Sequence, residues 1–199
     1  MTAYSYGAVV LPSIDAEQAI KITEKGIANN PNEWQLYNQL GYIHWRLKNY
    51  EKAAESYEKG SQIPGSPLFM QMMTAQMKSH GGSRETARAI YRQMFDAAQD
   101  DQTKETARLR LLQLDSFDEI DAIQAGLKNL QSQSGKCAGS WRELLPFIQN
   151  SRLPNGSDLR FEVKTFAPVD PTDAPYTLEN QNGKCEVHLN LDKTKIPVQ

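Results

Sequence analysis

The chain is poor in the residues from which reactive centres are built. Its 199 residues include 2 cysteines and 3 histidines. A structural zinc site needs four such ligands at close spacing, and His44, His80 and His188 form no His-x-x-x-His pair. Neither a metal nor a cofactor is expected. The longest apolar run, Ala8-Val9-Val10-Leu11, is far too short to cross a bilayer, and residues 1–5 lack the basic segment of a signal peptide. An excess of positive charge is missing too: Lys and Arg number 22 against 24 Asp and Glu, a formal net charge of −2. Nucleic-acid binding rests on neutralised phosphates, so this balance argues against such a partner. There is no Gly-rich phosphate loop. His80-Gly81-Gly82 has the letters of an oxyanion-hole loop, but no Gly-x-Ser-x-Gly elbow accompanies it. Asp118, Glu119 and Asp121 read as a solvated helix face rather than an acid/base pair. Asn155-Gly156-Ser157 reads as a surface turn. No catalytic residue is expected, and the chain is not expected to be an enzyme.

What is present is a period. Gly7, Gly41 and Ala75 are 34 residues apart, as are Ala19, Ala53 and Ala87, and Gly26 and Gly60 make a third set. Two antiparallel helices approach closely only where a side chain is small, so such positions recur once per helical pair. Tyr57 and Tyr91 match as larger residues, and Tyr37, Leu40, Ile43, Tyr50 and Ile63 supply apolar positions of the central unit at helical spacing. The unit before it has its second helix at 15–29, with Asp15 as N-cap and Gln18 three residues on, and a shortened first helix at 4–11. Pro31, Pro64 and Pro67 mark helix ends. The third unit covers 68–101, with 81–83 as its turn and 84–98 as its second helix. A fourth pair, 103–114 and 117–130, keeps helical periodicity through Ala107, Leu111, Leu114, Ile120, Ile123, Leu127 and Leu130. Asp121 falls where its small residue should be, which makes the fourth unit degenerate.

Leu40-Gly41 in one helix, then Asn49-Tyr50, Ala53 and Tyr57 in the next, resemble the tetratricopeptide consensus. Gly60 stands where that consensus usually has Ala, and Gly65 where it has Pro. Tyr6-Gly7, Leu11-Pro12-Ser13, Asn30-Pro31, Leu40-Gly41-Tyr42-Ile43, Pro64-Gly65-Ser66-Pro67 and Ala87 further resemble a group of bacterial tetratricopeptide proteins. Members of that group often carry a hydrophobic segment upstream of this point. The resemblance implies a cytoplasmic protein or, alternatively, the soluble portion of a membrane-tethered envelope protein. It also implies a mainly α fold: a solenoid of three to four helical hairpins over residues 1–131, followed by a small α+β cap with a β-hairpin over 132–199.

In this family the first helix of each pair lines the concave surface, and the resemblance carries that role onto particular side chains. They are Gln35, Asn38, Tyr42, Trp45 and Arg46 in the central unit, Phe69, Met72, Gln76 and His80 in the third, and Arg110 and Gln113 in the fourth. Aromatic, Met and Arg side chains mixed with amides suit a peptide or helix partner. The Lys and Asn arrangement of the carboxylate-clamp subtype is missing, with Tyr42 at a clamp-like position. The implied function is a protein–protein interaction scaffold or adaptor, with a protein or peptide partner, no nucleic acid and no membrane insertion of this chain.

After Gln131 the character changes. Residues 132–140 are polar, and Ser140 with Glu143 forms a capping box that starts a helix at Trp141 and runs it towards Pro146, where the missing N–H ends or kinks it. Trp141 is expected to pack on the last repeat. Leu159, Phe161 and Val163 alternate with Arg160, Glu162 and Lys164, the period of a half-buried strand. Strands at 176–179 and 185–191 bracket Asn182-Gly183, a strong hairpin turn signal. Cys137 and Cys185 both lie in this region; they form a disulfide in an oxidising compartment or stay as two reduced thiols. Val169-Asp170-Pro171 through Pro175-Tyr176 resembles a segment near the C-terminus of type II secretion pseudopilins, with Asp173 where that segment has Gly. The alternative function this implies is an assembly or structural component of a bacterial secretion or pilus-type envelope system. Read without it, Pro171 and Pro175 simply set a rigid turn.

Overall fold

The computed structural model describes residues 15–181 and 183–197. The protein is mainly α, with seven helices and two small antiparallel strand pairs among the described residues. It divides into two compact units between Gln99 and Asp100. The expected boundary at 131/132 falls inside the longest helix. The helix expected at 4–11 and Gly7 lie outside the described residues.

The first unit is a succession of helices, each packed on the next: α1 (Ala16–Asn29), α2 (Trp34–Arg46), α3 (Tyr50–Ser61), α4 (Phe69–His80) and α5 (Arg84–Ala97). Asp15 caps α1, its carboxylate accepting from the Glu17 and Gln18 amides at 3.0 and 3.2 Å. The small residues of the 34-residue period sit where the helices meet. Ala19, Ala53, Ala75 and Ala87 are fully buried, and a Cβ on Gly41 would stand 2.8 Å from the Tyr57 ring. A Cβ on Gly60 would run into Met70 of α4 and Tyr37 of α2, so this glycine lets α3 lie close to both neighbours. Leu36, Ile43, Tyr57, Met70 and Met77 fill the remaining space. Burying each such aliphatic side chain contributes roughly 1.5–3 kcal/mol relative to exposure.

The second unit is built on α6 (Asp101–Ser134), with α7 (Trp141–Ile148), β1 (Arg160–Phe161), β2 (Pro168–Val169), β3 (Thr177–Gln181) and β4 (Lys184–His188). Here the sequence expectation needs correction: the pair 103–114 and 117–130 is one continuous helix. Nothing between Leu114 and Phe117 stops it, since Ser116 turns its hydroxyl back onto the Gln113 carbonyl at 2.8 Å and stays within the helix. The helix ends at Gly135, in the left-handed conformation with φ 71°. α7 begins at Trp141 as expected, with Ser140 accepting from the Glu143 amide and Glu143 accepting from the Gly139 amide at 2.8 Å. It does not stop at Pro146, because in so short a helix the missing N–H removes a single bond. Gly126 of α6 leaves room for Ile148 and Phe147 of α7. Trp141 packs on the core formed by Ile123, Leu127, Leu130, Leu144 and Ile148.

The alternating run 159–164 yields only a two-residue strand. After Phe161 the chain reverses, the Glu162 amide and carbonyl both bonding within the turn to Ala167 and Phe166, and Val163 is left 88% exposed. β1 then pairs with β2, Arg160 opposite Val169. β3 and β4 form the expected hairpin, Gln181 opposite Lys184, with Gly183 at φ 78°. Asn182 lies outside the described residues. Gln124 of α6 joins the hairpin to the helix: its amide donates to the Cys185 carbonyl at 2.6 Å and accepts from the Val187 amide at 3.4 Å.

Candidate functional site

At 100° per residue, positions 35, 38, 42, 45 and 46 fall on one side of α2, away from buried Leu36 and Ile43. That side faces solvent. Tyr42 is 43% and Trp45 39% exposed, large fractions for aromatic rings. Their ring centroids are 5.5 Å apart, and Arg46 donates from Nη1 to the Tyr42 hydroxyl at 3.3 Å. Gln35 is exposed and Asn38 half-buried on the same stripe. The three large side chains thus make one patch: two rings and a guanidinium, each with an apolar body and a hydrogen-bonding end.

On α4 the corresponding stripe carries exposed Phe69 and His80 with half-buried Met72 and Gln76 between them. Phe69 meets Trp34 of α2 edge-on at 5.7 Å, which brings the two stripes together at their N-terminal ends. His80 stacks on Tyr50 at 5.2 Å. Behind the stripes, Tyr57 is packed against Gly41, and burial, with Tyr42 nearby, pushes its hydroxyl up to about 12.

Arg110 and Gln113 belong to the second unit. Gln113 is only 5% exposed and is tied at both ends of its amide: it accepts from Arg110 Nη1 at 2.9 Å and donates to the Pro197 carbonyl at 2.7 Å. Its side chain holds the C-terminal segment on α6 and presents no free surface.

The second unit holds the polar residues whose burial sequence reasoning missed. Asp118 and Glu119, expected on a solvated face, are 6% and 5% exposed, while Asp121 is exposed. Glu119 accepts from the Tyr176 hydroxyl at 2.7 Å. Burial raises its carboxyl to about 7, opposed by that hydrogen bond and by Arg160. Tyr176 is itself held above its ordinary value by burial and then by the Glu119 charge.

Asp170, 1% exposed, organises the turn that follows. Its Oδ1 accepts from the Thr172 amide and hydroxyl and from the Ala174 amide, and its Oδ2 accepts from the Thr194 hydroxyl at 2.5 Å. Asp173 sits at φ 66°, the left-handed region that glycine prefers, and receives Arg160 Nη1 at 2.5 Å. The segment from Val169 to Tyr176 is a turn here, held by Asp170. Cys137 and Cys185 are joined in a disulfide, Cα atoms 5.4 Å apart. Among the described residues, no three His, Cys, Asp or Glu side chains gather as metal ligands, and no helix is long and apolar enough to cross a membrane.

Compared with known families, residues 35–64 match the tetratricopeptide repeat, spanning α2 and α3. No curated protein and no solved structure matches the chain.

Proposed function

Because the hairpin of α2 and α3 is a tetratricopeptide repeat, a unit that generally mediates protein–protein interaction and is typically non-enzymatic, we propose that this protein is an interaction scaffold that binds a peptide or helix on the exposed stripes of α2 and α4. The observation that carries the proposal is the Tyr42, Trp45 and Arg46 patch. Rings with few rotatable bonds give contact area at small entropic cost, and Arg adds directional bonding, the combination found in interface hot spots. Gln35, Asn38, Phe69, Met72, Gln76 and His80 extend the surface. An apolar anchor on the partner would lie between Tyr42 and Phe69, with its backbone met by the amides.

The test is a pull-down from the native extract with the Tyr42→Ala, Trp45→Ala double variant. Both side chains are exposed, so the fold is retained. Each hot-spot truncation costs about 2 kcal/mol or more, so capture of the partner should fall at least about tenfold. An unchanged set of captured proteins overturns the proposal.

A further inference from the structure

A cleft of about 400 Å³ opens on the opposite side of α2. Each of its walls is a helical stripe. Tyr37, Leu40 and His44 of α2 form the floor, Ile20, Glu24 and Ile27 of α1 one side, and Lys52, Glu55 and Lys59 of α3 the other. The spacings of three, four and seven residues within each helix are those that place side chains on one face. Positions 37, 40 and 44 point roughly 160° away from the Tyr42 stripe at 100° per residue. The cleft is therefore a surface separate from the proposed peptide site.

Its chemistry is mixed but balanced. Ile20, Ile27 and Leu40 are half-buried and apolar, while Glu24, Glu55, Lys52 and Lys59 are exposed at the rim, two carboxylates against two ammonium groups. His44 is 6% exposed, and its Nδ1 is buried with no hydrogen-bond partner. A buried orphan donor costs more than an under-used acceptor, so the proton belongs on Nε2, the nitrogen left to meet the cleft. Burial and the Lys52 charge hold the imidazole below its ordinary value, against the pull of Glu24 and Glu55. The neutral ring offers the cleft one N–H donor and no charge.

We propose that this cleft binds an apolar zwitterion of dipeptide size. The ammonium end meets Glu24 and Glu55, and the carboxylate end meets Lys52 or Lys59 together with the Nε2–H of His44. The apolar side chains lie on Ile20, Ile27 and Leu40. Along α3, Glu55 is about 4.5 Å from Lys52 and about 6 Å from Lys59, separations that long side chains at the rim widen to the about 7 Å of an extended dipeptide. The volume is that of an ordinary small-molecule site. A ligand of single charge would leave one pair of rim groups facing it with like sign, so the charge balance selects a molecule carrying both.

The experiment is a heteronuclear NMR titration of the full chain with leucyl-leucine. Saturable shifts centred on Ile20, His44 and Lys52 are expected at millimolar ligand or below. N-acetyl-leucyl-leucinamide, which keeps the side chains and loses both charges, should bind at least about tenfold more weakly. Glu24→Gln and Lys52→Gln should each weaken the free dipeptide several-fold, and both substitutions are exposed enough to leave the fold intact. The Tyr42→Ala, Trp45→Ala variant should bind it unchanged, which separates this site from the partner surface. Absence of saturable shifts, equal binding of the capped compound, or loss of binding in the Tyr42 and Trp45 variant overturns the proposal.

Discussion

The two units reach a packed state by different means. In the first, close approach is made by omission: Gly41, Gly60, Ala53 and Ala75 withhold side chains where helices meet, and all partners lie within the next helix or two. In the second, it is made by connection. A disulfide, the Gln124 amide, the Glu119 and Tyr176 pair and the Asp170 turn each join residues far apart in the chain. A repeat that stacks on its neighbour needs no such links, because its cohesion is a sum of local interfaces. The short strands of the second unit share one core with α6 and α7, to which they add Tyr176, Cys185 and Val187, and the cross-links fix where they sit on it.

The largest expected effect breaks the comparison at the disulfide. Cys137 and Cys185 are 48 residues apart, and closing a loop of that length removes about 4 kcal/mol of chain entropy from the unfolded state. Cys137→Ser with Cys185→Ser should therefore lower the stability of the second unit by about 2–4 kcal/mol. Amide hydrogen exchange resolves this by region. Protection in α7 and β4 should fall by about 30-fold to 1,000-fold, with α3 unchanged. Equal loss in both units would show that the contrast is wrong.

Next in size is the buried carboxyl. Glu119 has a folded-state value of about 7 against 4.5 for the ordinary side chain. The folded state thus holds the proton more tightly than the unfolded chain. The stability this contributes is full below about 4.5 and is lost as pH rises through about 7, a change of roughly 3 kcal/mol. Glu119→Gln keeps an acceptor for the Tyr176 hydroxyl and removes the titration. Denaturant unfolding from pH 5 to pH 8 should show the difference between parent and variant moving in favour of the variant by roughly 3 kcal/mol. A constant difference across that range rules the assignment out.

The same contrast decides what could be read from the sequence. Gly41, Ala53 and Ala75 were legible because the need for a small residue recurs at a fixed spacing and is met locally. The α2 stripe from Gln35 to Arg46 came from the resemblance, and helical geometry accounts for its exposure by turning it away from Leu36 and Ile43. Gln113 and Glu119 were not legible. Their burial is imposed by Pro197 and Tyr176, 84 and 57 residues onward, and no local pattern encodes such partners. The break expected between 114 and 117 is absent because Asp115-Ser116 offers neither glycine nor proline to stop the helix, and a repeat register does not end a helix by itself. The cleft around His44 was hidden differently. Each wall has a regular spacing, but only the packing of α1, α2 and α3 shows that three stripes face one another.

The smallest effect sharpens the comparison, because both units contain a non-glycine residue in the left-handed region. Lys48 has φ 59° and Asp173 φ 66°. The turn at Lys48 is made by backbone alone, its amide donating to Trp45 and the Asn49 amide to His44, and the Lys48 side chain is exposed. Left-handed backbone costs an L-residue roughly 1–2 kcal/mol, and glycine's extra unfolded-state entropy returns about 0.5–1 of that. Lys48→Gly should therefore stabilise by about 0.5–1 kcal/mol in denaturant unfolding. Asp173→Gly relieves a smaller strain, since Asp tolerates this region, and it also removes the Arg160 ion pair, a surface contact worth about 0.2–1 kcal/mol. Its net effect should lie near zero. Equal stabilisation by both substitutions would mean that the Arg160–Asp173 pair contributes nothing to the turn, whose remaining link from Arg160 is its Nη2 bond to the Asp170 carbonyl at 2.6 Å.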